Sequence, residues 1–97
     1  MIDLRTYALI NLDNLEYNCE NVRKKLAPGT KLLGVIKADA YGHGAVEIGK
    51  IIEDKCDFFG IACIEEALEL KKAGIKIPLL ILGRVFPWDY ENIVNES

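Results

Sequence analysis

The chain has 97 residues, of which 51% are hydrophobic and 28% charged, and its formal net charge is -3. This composition is typical of a small globular domain, and the lack of a basic surplus argues against a nucleic-acid partner. No apolar run approaches the roughly 18 residues of a membrane span, so none is expected. Residues 1–10 lack the layout of a signal peptide, and we therefore predict a cytoplasmic protein.

The cysteines argue against a metal site. Cys19, Cys56 and Cys63 are widely spaced and form no Cys-x-x-Cys pair, whereas structural zinc sites normally use closely spaced ligands. We interpret all three as reduced thiols that behave as small hydrophobic residues and predict no metal. A zinc site that combines them with His43 is the less favoured alternative.

The first part of the chain predicts a strand followed by a helix. TYALINL, residues 6–12, has the composition of a strand, and YNCENVRKKL, residues 17–26, that of a helix. The candidate N-caps of this helix are Asn11, Asp13 and Asn14. Its expected buried face consists of Leu15, Cys19, Val22 and Leu26, which recur at helical spacing.

Three further apolar runs alternate with helical patterns. The runs are KLLGVIKA (residues 31–38), FFGIACI (58–64) and PLLILG (78–83). Helices are predicted over residues 45–55 and 65–74, and a last one begins near Pro87. The second of these has acidic residues in its first turn, lysines in its last turn and Gly74 just beyond, as the helix dipole and a glycine C-cap favour.

This alternation predicts right-handed βαβ units and a parallel sheet. The apolar runs are continuous, so we expect strands that are covered on both faces. The pattern fits either a flavodoxin-like sheet or the opening part of a (β/α)8 barrel, and both need more strands to cover every face. We therefore expect the 97 residues to be part of a longer protein.

Lys37 follows Val35 and Ile36 at the end of an apolar run, and the carboxyl ends of parallel strands are where ligands bind in both architectures. Partial desolvation at such a position favours the neutral amine, which is the form that attacks aldehydes. The alternative is an ordinary lysine whose side chain reaches solvent.

The residues after this lysine favour a binding role. Tyr41 carries a hydroxyl that can donate to a phosphate oxygen, and Gly42 and Gly44 permit a tight turn close to a ligand. His43 can carry a proton, but we interpret it as a solvated turn residue. Asp39 has a structural interpretation, as a cap of the following helix.

The motif KADAYGHG, residues 37–44, preceded by GVI, resembles the cofactor-lysine motif of alanine racemases, fold-type III enzymes that use pyridoxal 5′-phosphate. TYALINLDNLEYN resembles that family's opening strand and first helix, and residues 58–83 resemble its second and third barrel units. Two positions depart from the family pattern: Asp39 stands where many members have asparagine, and Asn11 stands where an acid is common.

The resemblance implies that residues 1–97 are the N-terminal segment of a pyridoxal-phosphate-binding (β/α)8 barrel, with the remaining barrel and a C-terminal β domain absent. It implies that Lys37 binds the cofactor aldehyde and moves the substrate Cα proton on one face. Tyr41 would bind the cofactor phosphate, and Val35 and Leu82 would line the pocket beside the pyridine ring.

The resemblance further implies a homodimeric full-length enzyme in which a tyrosine of the partner subunit is the base on the other face. No position of this chain matches that tyrosine, and Tyr7, Tyr17 and Tyr90 are not assigned to the role.

The implied function is the interconversion of L-alanine and D-alanine, small-molecule substrates, to supply D-alanine for peptidoglycan, with the 97 residues inactive by themselves. Alternatives are a serine or broad-specificity amino-acid racemase, a barrel decarboxylase or D-amino-acid lyase, and a non-catalytic barrel protein that binds pyridoxal phosphate. An isolated α/β interaction domain with an ordinary Lys37 is a further alternative. A downstream β domain with a tyrosine base would favour the racemase, and a stop after the barrel would favour the non-catalytic protein.

Overall fold

The computed structural model describes residues 8–95, which form an α/β arrangement around three parallel strands. The strands lie in the order β1 (Leu33–Val35), β2 (Phe58–Ile61) and β3 (Leu79–Ile81). The helices are α1 (Leu12–Lys25), α2 (Lys37–Tyr41, one left-handed turn), α3 (Ala45–Ile52), α4 (Ile64–Lys72) and α5 (Tyr90–Asn95). Two 3-10 segments, Glu53–Lys55 and Pro87–Asp89, complete the described chain. The predicted α/β class with parallel strands is confirmed.

The hydrophobic core lies between one face of the sheet and helices α3 and α4. Phe59 and Ile61 in the central strand are 0% exposed, and Leu70 of α4 is buried beside them. Gly49 of α3 faces the core, where a Cβ would lie in ordinary contact with the Phe59 ring at 3.5 Å. Each of these large apolar side chains stabilises the fold by about 1.5–3 kcal/mol through burial.

The opposite face of the sheet is open. Four of its apolar side chains are between 36% and 51% exposed, namely Leu33, Val35, Leu80 and Leu82. The prediction that the apolar runs are covered on both faces is therefore wrong for the described residues. The physical reason is the hand of the crossovers, because successive right-handed βαβ units put α3 and α4 on the same side of the sheet.

The predicted strand over residues 6–12 is also not observed in the part of the chain that the structure describes. Residues 6 and 7 lie outside it, and residues 8–11 belong to no strand. Asn11 accepts a hydrogen bond from the Asn14 amide at 2.9 Å, so of the three candidate N-caps it is Asn11 that starts the helix, and α1 begins at Leu12. Of the expected buried face of α1, Val22 is exposed, and the other three side chains are half-buried.

The ends of α3 and α4 are set by local backbone geometry. Gly74 has a φ of 99°, and its amide donates to Lys71 O while the Ile75 amide donates to Leu70 O, at 3.0 and 3.1 Å. These two bonds form the Schellman arrangement that was predicted for Gly74. Helix α3 ends at Ile52, three residues earlier than predicted, because the chain tightens into the 3-10 segment that follows.

The three cysteines are free thiols. Burial, with Cys19 close by, raises the pKa of the Cys56 thiol to about 12, which keeps it protonated and unreactive at neutral pH. Within residues 8–95, no helix is both long and apolar enough to cross a membrane. The same residues contain no group of three or more histidine, cysteine, aspartate or glutamate side chains able to hold a metal ion.

Asp57 ties α1 to the segment that leads into β1. One carboxylate oxygen, Oδ2, accepts from Arg23 Nη1 at 2.6 Å and from the Leu32 amide at 2.7 Å. The Arg23 bond first, and the Leu32 bond second, stabilise the ionised form and hold the pKa of Asp57 below its usual value of 3.8.

This depressed pKa predicts an acid-side loss of stability. The contribution of Asp57 is present in full at pH values well above 3.8 and is lost as the pH falls through the lower value of the folded state. We expect Asp57→Asn to be less stable than the wild type at pH 7 and to lose less stability on acidification. Urea unfolding between pH 2 and pH 7 measures both effects, with the exposed Asp54→Asn as control. Parallel pH profiles for wild type and Asp57→Asn would contradict the assignment.

Candidate active site

The residues that follow β1 form a backbone turn of unusual hand. Ala38, Asp39, Ala40 and Tyr41 have φ values between 52° and 56°, in the left-handed helical region. We call the segment Lys37–Tyr41 the Lys37 turn. Left-handed helical geometry costs an L-residue roughly 1–2 kcal/mol, so four such residues in a row persist only if their surroundings hold them.

Hydrogen bonds within the motif hold part of the Lys37 turn. The Ala40 amide donates to Ile36 O at 2.9 Å, and the Gly42 amide donates to Ala38 O at 3.0 Å. Ala40 is buried in the core, which anchors the middle of the turn. Gly42 and Gly44 have φ values of 89° and 98°, so the predicted need for glycine at both positions is met by the observed geometry.

Two side chains of the motif have structural roles. Asp39 Oδ1 accepts from the Ala45 amide at 2.8 Å and so satisfies one of the free amides at the start of α3. His43 Nδ1 lies 2.9 Å from Ala40 O, a hydrogen bond that the Nδ1-protonated ring donates. Both observations agree with the structural interpretation given to these residues from the sequence.

A carboxylate from α4 supplies the remaining support. Glu66 Oε2 accepts from the Ala38 amide at 2.7 Å, and Glu66 Oε1 accepts from the Ala62 amide at 2.6 Å. Glu66 was not among the predicted site residues, because the acidic first turn of α4 was interpreted only as a match to the helix dipole. Its distance of 28 residues from Ala38 gives no local signal.

Lys37 lies at the carboxyl edge of the sheet, directly after β1 and Ile36. Its side chain is half-buried, and among residues 8–95 its amine has no hydrogen bond and no ion pair. Tyr41 ends the same turn with its side chain 61% exposed. An amine without a carboxylate partner is chemically available to an aldehyde, and the hydroxyl of an exposed tyrosine is available to a phosphate.

Val35 and Leu82 lie on the open face of the sheet beside this edge. Val35 is the register partner of Gly60, and the Leu82 amide donates to Ile61 O at 2.7 Å. A Cβ at Gly60 would lie 2.9 Å from Leu82 Cδ1, so the absence of a side chain at Gly60 lets the Leu82 side chain lie over β2. Val35 and Leu82 make this face apolar, which suits one face of an aromatic ring.

The structure thus brings Lys37, Tyr41, Val35 and Leu82 to one end of the sheet, on β1, the turn after it and the end of β3. The donor set fits pyridoxal phosphate in three respects: an available amine for the aldehyde, a phenol for the phosphate and an apolar surface for the ring. No contact between Lys37, Tyr41 and the apolar pair is needed for that fit, because the three would meet different parts of the group.

Comparison with known proteins identifies close relatives. Residues 10–97 match the sequence model described as "Alanine racemase, N-terminal domain". The alanine racemase of Xanthomonas campestris pv. campestris (strain 8004) is 47% identical over 89 residues, which cover 92% of this chain and 24% of that protein. That of Clostridium kluyveri is 51% identical over 87 residues, covering 89% of this chain and 22% of that protein.

Solved structures give the same result. An alanine racemase of Clostridium difficile 630 in complex with cycloserine aligns with a TM-score of 0.89 at 42% identity, over 99% of this chain and 26% of that chain. An alanine racemase from E. faecalis aligns with a TM-score of 0.86 at 34% identity, over 90% of this chain and 24% of that chain. The chain therefore spans about a quarter of the length of these relatives.

The position of Asp39 predicts a difference between two substitutions. Asp39→Asn keeps an oxygen for the Ala45 amide and a residue type that tolerates positive φ, so we expect a free energy of unfolding near that of the wild type. Asp39→Ala loses the acceptor and should cost about 1 kcal/mol. Chemical unfolding of the three proteins measures this, and equal losses in both variants would rule out the hydrogen bond as the cause.

Proposed function

The chain belongs to the alanine racemase family through its N-terminal domain, and from this we propose that it is part of a pyridoxal-phosphate-dependent racemase that interconverts L-alanine and D-alanine. The observation that carries the proposal is Lys37, a half-buried residue with an unpaired amine at the start of the left-handed turn at the carboxyl edge of the sheet. Matching of residues 10–97 to the family supports it.

The proposed role of Lys37 has two parts: it would bind the cofactor aldehyde covalently with loss of water, and, once the substrate amine has replaced it there, its freed amine would take or return the substrate Cα proton on one face. When bound, pyridoxal phosphate supplies an electron sink that makes the Cα–H bond acidic. The backbone on either side of Lys37 is fixed, since the Ile36 amide donates to Gly60 O at 2.9 Å and the Ala38 amide donates to Glu66. A fixed backbone restricts where the amine can reach, which favours proton transfer on one face only.

The other residues are proposed to bind and orient. Tyr41 donates its phenol hydrogen to a phosphate oxygen, and Val35 and Leu82 pack against the pyridine ring. Exclusion of water from this face needs further protein, because Val35 and Leu82 are 38% and 45% exposed in residues 8–95.

We propose that residues 1–97 are the opening segment of a (β/α)8 barrel, and that the rest of the barrel and a C-terminal β domain belong to a longer, homodimeric cytoplasmic protein. The length relationship to the relatives supports this, since the chain covers 24% of the first of them. In the family that the sequence resembles, the base on the second face is a tyrosine of the partner subunit. The 97 residues without that base are proposed not to racemise alanine, and D-alanine from the whole enzyme would supply peptidoglycan.

The comparisons favour this proposal over an isolated interaction domain, because the relatives described above carry the name alanine racemase. A serine or broad-specificity racemase shares the same Lys37 chemistry. Assay of the longer protein with alanine and serine distinguishes these substrates.

The role of Lys37 predicts selective chemical trapping. Pyridoxal phosphate is added to the 97-residue chain, the adduct is reduced with borohydride, and the labelled peptides are mapped. We expect the label chiefly on Lys37, with its loss in Lys37→Ala and no change in Lys50→Ala, which removes an exposed lysine of α3. Label spread evenly over the exposed lysines in all three proteins would refute a preformed site in this segment.

The role of Tyr41 predicts a phosphate-specific loss of affinity. A hydrogen bond to a charged phosphate contributes about 1.5 kcal/mol, which corresponds to roughly tenfold in affinity. We expect Tyr41→Phe to weaken trapping by pyridoxal phosphate on Lys37 by about that factor and to leave trapping by pyridoxal, which lacks the phosphate, unchanged. Equal weakening with both aldehydes would mean that Tyr41 acts through the turn and not through the phosphate.

A further inference from the structure

We propose that Glu66 is a positioning residue whose carboxylate holds the Lys37 turn in the arrangement that presents Lys37 and Tyr41 at the carboxyl edge of the sheet. The functional part of this inference rests on the function proposed above for those two residues. Its structural part depends only on the hydrogen bonds that the Glu66 carboxylate accepts from two backbone amides.

The carboxylate of Glu66 connects the ends of two neighbouring strands. Ala38 follows β1 by three residues and Ala62 follows β2 directly, and their amides donate to separate oxygens of Glu66 at 2.7 and 2.6 Å. Hydrogen bonds from amides to an ionised carboxylate are short and roughly twice as strong as those between neutral groups. One side chain therefore fixes the start of the Lys37 turn relative to β2 and α4.

Capping of α4 does not explain this arrangement. In a capping box the third helical residue returns to the amide of the N-cap, which is Cys63 here, and serves only its own helix. Glu66 bonds instead to Ala62 and, with its second oxygen, to Ala38, 28 residues away along the chain. Its neighbour Glu65 is exposed and makes no hydrogen bond within residues 8–95, although it complements the helix dipole equally well.

The Lys37 turn needs this support at the amide of Ala38, its first left-handed residue. The internal bonds of the turn begin with the Ala40 amide, which donates to Ile36 O. The Ala38 amide has Glu66 as its partner, and a lost partner leaves a polar group unsatisfied at the point where the strand changes to left-handed backbone. A glutamine at position 66 offers one oxygen to the two amides and turns an N–H group toward the other.

The experiment compares Glu66→Gln with the matched control Glu65→Gln, which removes the same charge from the same helical turn. Amide hydrogen exchange followed by NMR reports on Ala38 and Gly42 in the turn, and on Phe59 and Ile61 in the core as the measure of overall stability. We expect Glu66→Gln to speed exchange at Ala38 and Gly42 by roughly tenfold relative to the core amides. Glu65→Gln should leave that ratio unchanged.

Borohydride trapping of pyridoxal phosphate on the same proteins gives the functional readout. We expect the share of label on Lys37 to fall in Glu66→Gln and to stay at the wild-type level in Glu65→Gln. A general loss of stability would instead raise exchange at turn and core amides alike, so the exchange ratio distinguishes it from a loss of positioning.

The outcomes separate the two proposals. Faster exchange confined to the turn in Glu66→Gln supports the positioning role even if the wild type shows no preference for Lys37, a result that counts against the proposed function alone. Exchange that rises equally at turn and core amides, or does not rise at all, overturns the positioning role. So does a wild-type preference for Lys37 that Glu66→Gln retains in full.

Discussion

Four consecutive residues with left-handed backbone geometry are the constraint around which the rest of this structure is arranged. Such a run is unfavourable for L-residues, so it persists only where neighbouring groups hold it in place. The chain meets the need from three directions: Ile36 O on the strand side, Asp39 and the two glycines on the helix side, and Glu66 from the neighbouring unit. The βαβ fold brings these groups together, and the same turn carries Lys37 and Tyr41 to the sheet edge.

Much of the architecture follows from local signals in the sequence. The Schellman end of α4 could be predicted because Gly74 and the lysines before it act within a few residues of each other. The parallel sheet could be predicted because apolar runs and helical patterns alternate. The motif from Lys37 to Gly44 was identified as a ligand-binding turn on residue types and on resemblance, and its glycines do adopt positive φ. Left-handed geometry at Ala38, Ala40 and Tyr41 was not predictable, since these residue types do not favour it.

Other features depend on contacts between residues far apart in the chain, and the sequence contains no local pattern that predicts them. Glu66 looks like any acid at a helix start, and its role becomes visible only when β1 and β2 lie side by side. Continuous apolar runs predicted strands covered on both faces, but periodicity does not reveal on which side the crossover helices pack. Leu12, the last residue of the first predicted strand, belongs instead to α1, because Asn11 is the candidate N-cap that starts the helix.

The bond between Ala38 and Glu66 also has a consequence for the order in which the chain acquires its structure. During synthesis from the N-terminus, Lys37 and its turn leave the ribosome before the residue that holds them has been made, 28 positions later. The turn must therefore wait for β2 to pair with β1 and for the first turn of α4 to form. Lys37 and Tyr41 therefore receive the support of Glu66 only after a part of the chain that is synthesised later has folded against them.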